Sequence, residues 1–167
     1  MRNMKPRILT LVVAILALVS VTQAADVVLD ANTATTEDMS ALPHMDDVLA
    51  GVVVNNRPYV NIGELNHLLS SDLDDDQLEA LYGRLFVAIN LNDAKRSDIL
   101  LIPGVGKKMA HEFEEYRPYS NIEQFRREIG KYVDEQEVAR LEQYVTLDQF
   151  RTGPASFDWP RKSQEFC

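Results

Sequence analysis

The residues best suited to chemistry lie in one run, Ile102-Pro103-Gly104-Val105-Gly106-Lys107-Lys108-Met109-Ala110. A helix is expected to end at Pro103. Gly104 and Gly106 permit a tight turn that brings backbone N–H groups close to a ligand, Val105 anchors that turn in the core, and a new helix starts at Lys107. The first amides of a helix have no partner inside it, and the aligned peptide dipoles favour an anion there. Two lysines beside those amides complete a site for a phosphate group. Such a site would grip a nucleic-acid backbone without reading bases.

Other clusters lack the partners their chemistry needs. Asp72, Asp74 and Asp76 begin like a calcium loop, but Gln77 replaces the turn glycine and Gly83 the closing glutamate, so they read as the acidic start of a helix. His111-Glu112-Phe113-Glu114-Glu115 lacks the second histidine of a zinc-protease helix, and His44 and His67 have no ligand-like spacing near it. These histidines read as surface residues. No Gly-x-Ser-x-Gly, P-loop or dinucleotide fingerprint occurs, so no catalytic residue, metal or cofactor is expected. A single cysteine excludes a disulfide scaffold and a cysteine-based metal site.

Positioning the turn falls to a duplicated scaffold. A shift of 60 residues aligns 30–87 with 90–147 without a gap, matching Asn32 with Asn92, Ala34 with Ala94, Arg57 with Arg117, Tyr59 with Tyr119, Asn61 with Asn121 and Asp74 with Asp134. Each copy reads as about four short helices. Thr35 with Asp38 three residues on is a helix start, with Met39 and Leu42 at helical spacing ahead of Pro43; Asp98, Ile99 and Ile102 repeat this ahead of Pro103. Residues 107–116 put Met109, Ala110, Phe113 and Tyr116 on one face, and Arg117-Pro118-Tyr119 closes that helix. Further helices are expected over 121–129 and 135–144. Val52-Val53-Val54 is β-branched, yet it aligns with Glu112-Phe113-Glu114 and is assigned to helix on that ground. No segment alternates long enough to predict a sheet.

With Asn92-x-Ala94 upstream and Arg117-Pro118-Tyr119 downstream, the glycine run resembles the helix-hairpin-helix motif, and the second copy is similar to the soluble domain of ComEA-type secreted proteins, which bind double-stranded DNA. The resemblance covers residues 89–148 and, more weakly, 29–88. It implies an all-α fold of tandem helix-hairpin-helix domains, a degenerate one over 25–88 and a second over 89–148, and the flanks read by composition as a signal peptide over 1–24 and an irregular C-terminal tail over 149–167. It also implies a non-enzymatic protein in which Gly104, Val105, Gly106, Lys107 and Lys108 contact DNA phosphates, with Lys131 near a second, worn hairpin.

The first copy departs from that pattern. Pro43-His44-Met45-Asp46-Asp47 has neither glycine and sets two carboxylates where a phosphate would lie, so this hairpin is expected to repel DNA. Ser70-Ser71-Asp72 and Gly130-Lys131-Tyr132 also lack the Gly-x-Gly turn, which leaves one of four phosphate sites. In helix-hairpin-helix glycosylases a lysine at the place of Lys108 attacks the sugar, but Arg126 and Arg127 occupy the region where those enzymes hold an aspartate. A similar architecture with eroded hairpins, the PsbU subunit of photosystem II, serves as a protein-binding module. That precedent supports an alternative, an interaction or structural protein whose acidic first copy meets a basic partner.

Charge is distributed to match. The chain has 26 acidic and 17 basic residues, a formal charge of −9. Residues 30–87 carry 11 acidic and 2 basic side chains, and 90–147 carry 11 acidic and 9 basic. Lys95, Arg96, Lys107, Lys108, Arg126, Arg127 and Lys131 are therefore candidates for a local patch on the second copy. Arg2, Lys5 and Arg7 precede an apolar run over 8–21 that ends in Thr22-Gln23-Ala24, a secretory pattern with cleavage expected after Ala24. The run is shorter than the roughly 20 residues that span a bilayer. Export to the periplasm or extracellular space is expected, with no membrane span after cleavage. Loss of those three basic residues takes the charge from −9 to −12, which opposes simple charge-driven DNA binding. The tail holds Phe150, Phe157, Trp159 and Phe166, expected to pack on the helices or meet a partner, and ends in Cys167.

Overall fold

The computed structural model describes residues 27–147; the expected signal peptide and the tail with its aromatic residues and Cys167 lie outside the described residues. The described chain is predominantly helical. The first copy runs β1 (Leu29–Asp30), α1 (Thr36–Ser40), α2 (Asp47–Asn55), α3 (Ile62–Leu69), α4 (Asp75–Tyr82) and β2 (Leu85–Phe86). The second runs β3 (Ile89–Asn90), α5 (Arg96–Ile99), α6 (Lys107–Glu115), α7 (Ile122–Ile129), α8 (Glu135–Glu142) and β4 (Val145–Thr146). Every element starts at the same offset as the sequence repeat, and only α5 ends one residue earlier than its counterpart α1.

Three expectations are corrected. The helix before Pro103 stops at Ile99, and residues 100–104 form the turn. The last helix ends at Glu142, two residues short of Tyr144. Each copy also contains a minimal sheet, because its two ends meet: β1 pairs parallel with β2, and β3 with β4. Two residues per strand give no alternation for a sequence reading to find.

The residues shared by the copies are the staples that hold each one closed. The Asn32 side-chain amide donates to Tyr59 O at 3.0 Å and its oxygen accepts from Tyr59 N at 2.8 Å; Asn92 does the same with Tyr119 at 3.0 and 2.7 Å. Arg57 donates to the carbonyls of Ala31 and Ala34, both at 2.6 Å, and Arg117 to those of Leu91 and Ala94 at 2.6 and 2.8 Å. Burial pulls the Arg57 guanidinium below its ordinary pKa, with Tyr59 and Asp30 opposing that shift. Asn61 and Asn121 cap α3 and α7, and Asp74 and Asp134 cap α4 and α8. Asp74 and Gln77 form a reciprocal capping box, in keeping with the acidic-start reading.

The two copies share one core. Val87 and Ala88 alone connect β2 to β3, and Phe86 stacks edge-on against Tyr82 of its own copy and Tyr144 of the other, with centroids 5.9 and 4.9 Å apart. Val28 N donates to Gln143 Oε1 across the same junction. Asp98, the buried acid of α5, lies against Gly63 in the first turn of α3. These contacts place α4 of the first copy opposite the 100–106 turn of the second.

Candidate nucleic-acid interface

The turn before α6 is built as its residues demand. Gly104 has φ +75°, a left-handed conformation that glycine adopts without strain. Val105 is buried, and its N–H donates to Ile102 O at 3.0 Å. Gly106 has φ −89° and ψ 175°, which any residue can adopt, so its glycine identity has no conformational cause. What it contributes is the absence of a side chain. It is the N-cap of α6, it makes no capping hydrogen bond, and the space beyond its Cα is empty to 4 Å.

Three of the nominated residues come together at this turn. Gly106, Lys107 and Lys108 are exposed and contribute the first amides of α6, free of side-chain acceptors. Neither lysine has an acidic partner within ion-pair distance among the described residues. They line a depression of about 660 Å³ with Met109, His111, Glu112 and Tyr132. Tyr132 is 49% exposed and its hydroxyl lies 2.8 Å from that of Tyr116, a contact that raises its pKa.

The other three are placed differently. Gly104 N–H points across the junction to Glu79 Oε1 at 3.4 Å, and the Val105 N–H is spent inside the turn. Lys131 is hydrogen-bonded to Glu128, and its ammonium lies 4.9 Å from the Tyr116 ring centroid. That hydrogen bond raises the Lys131 pKa and lowers that of Glu128. The wider basic patch is similarly neutralised: Arg96 pairs with Glu114, Arg126 with Glu142 and Arg127 with Glu128. Such exposed pairs are weak and exchangeable, but they leave Lys95, Lys107 and Lys108 as the patch members without a paired acid among the described residues.

Two residues went unforeseen. Glu79 belongs to the solvent-facing side of α4, and no local pattern reveals that the second copy packs opposite it. Tyr132 aligns with Asp72 of the first copy, and that exchange was available as a signal. Among the described residues no group of three or more His, Cys, Asp or Glu could hold a metal ion, and no helix is long and apolar enough to cross a membrane. Comparison with family models, with curated proteins and with solved structures returns no match.

Proposed function

We propose that this is an exported, non-enzymatic protein of tandem helix-hairpin-helix copies that holds the DNA backbone, without regard to base sequence, at the start of α6. The supporting observation is the N-terminus at Gly106, without a side-chain cap, beside two lysines that have no acidic partner among the described residues. The comparable helix starts α2, α4 and α8 each have their own carboxylate cap, from Asp46, Asp74 and Asp134. Backbone amides and a dipole end favour an anion, and the lysines add the sequence-independent attraction on which phosphate binding depends. The acidic remainder of the molecule restricts contact to this one edge.

The test is titration of a mixed-sequence duplex at several salt concentrations. Binding should weaken as salt rises, and Lys107→Ala/Lys108→Ala should lower low-salt affinity at least about tenfold and reduce the log–log salt slope by about two. Undiminished binding in that double variant would remove the proposed site.

One observation favours a second reading as a protein-interaction module. At the corresponding place the first copy has a depression of about 500 Å³ lined by Asp46 and Asp72 and by apolar Val48, Leu49, Val52 and Leu73, with Val48 76% exposed. Carboxylates over an apolar floor fit a basic partner.

A further inference from the structure

We infer that Glu79, a residue of the first copy, sets the affinity of the phosphate site on the second by acting as a competing internal anion. The inference rests on the DNA-backbone reading above. The 103–107 turn separates two depressions, and Gly106 lines both. On one flank stand Lys107, Lys108 and His111. On the other is an inter-copy cleft of about 440 Å³, where Gly104, Val105 and Gly106 face Asp75 and Glu79 of α4.

Within that cleft the Glu79 carboxylate already accepts the Gly104 N–H at 3.4 Å. The turn thus has an anion on one of its donors, supplied by the neighbouring copy. A phosphate seated on the Gly106 and Lys107 amides meets this carboxylate within a Debye length, about 10 Å at moderate salt, and the two like charges repel. The contact is long and both groups are exposed, so the carboxylate can swing away. Arg140 lies beside Gly104, where an added Cβ would be 3.6 Å from its Nη2, but Glu137 holds its guanidinium at 2.7 Å, so it does not cancel Glu79. The first copy, unable to hold a phosphate itself, thereby sets the threshold at which the second does.

The test compares the full chain with Glu79→Gln, which keeps the shape and the acceptor oxygen but removes the charge. Glu37→Gln, on α1 outside the cleft, removes the same charge from the same copy. A short mixed-sequence duplex is titrated at low and high salt, and the Gly104 amide resonance is followed in the free proteins. Glu79→Gln should bind about three- to tenfold tighter at low salt, with the difference closing as salt rises, while Glu37→Gln stays near wild type. The Gly104 resonance should move in Glu79→Gln alone. A wild type that binds, with Glu79→Gln binding equally well or no better than Glu37→Gln, overturns the inference and leaves the DNA reading standing. Failure of both wild type and Glu79→Gln to bind at low salt overturns the DNA reading and this inference with it.

Discussion

The turn between α1 and α2 and the turn between α5 and α6 have nearly the same backbone and opposite electrostatics. His44 adopts φ 59° where Gly104 has 75°, and Asp46 at φ −106°, ψ 175° matches Gly106 at −89°, 175°. Asp46 uses that conformation to cap α2, accepting from Leu49 N at 2.8 Å, so the first copy carries its own anion on the helix start. Gly106 leaves the equivalent amides to solvent. The first copy, with no glycine at these positions, keeps the turn and covers its helix start with a carboxylate. Backbone geometry and the electrostatics of the helix start are separable properties, set by different residues of the turn.

That separation can be broken or sharpened experimentally. The largest effect should come from the staples, which belong to the scaffold and must matter equally in both copies. Arg57→Ala and Arg117→Ala each strand two carbonyls and should each cost about 2–4 kcal/mol in urea unfolding. A loss in one copy alone would show that the copies are not built alike. Next come the left-handed positions. Gly104→Ala should cost about 1–2 kcal/mol from backbone strain, since its Cβ would meet only Arg140 at ordinary contact distance. His44→Gly should stay within about 0.5 kcal/mol of wild type, because relief of strain is offset by the freedom glycine adds to the unfolded chain. Equal effects at the two sites would mean that the turns are less alike than their dihedral angles.

Much of the scaffold was legible because the duplication let each copy test the other. Val52, Val53 and Val54, ambiguous alone, lie in α2 as their alignment with 112–114 indicates. Asn61 with Asn121 and Asp74 with Asp134, matched in sequence as repeat identities, prove to be helix caps, which explains why they recur. The exact end of α5 and the strand pairs were not legible, since the first depends on how far the turn unwinds before Pro103 and the second on closure of each copy's ends in space. At the site, sequence marked the turn but not the fate of its donors. Whether Gly104 N–H is open depends on Glu79, which lies 25 residues away and is brought there by packing between the copies. Lys131 reads as a free cation in sequence and is paired in space because the chain turns back after α7, bringing it onto Glu128 three residues earlier in the last turn of that helix.

The smallest change in stability carries the most direct test. Gly106→Asp transplants the cap of the first copy into the second at a position with room for it. It should stabilise α6 by only a few tenths of a kcal/mol, while placing a carboxylate on the amides proposed to hold phosphate. When wild type and Gly106→Asp are titrated with a mixed-sequence duplex at low salt, the first should bind and the second should not, with the variant folded and at least as stable. Duplex binding that survives in Gly106→Asp would contradict the proposed phosphate site.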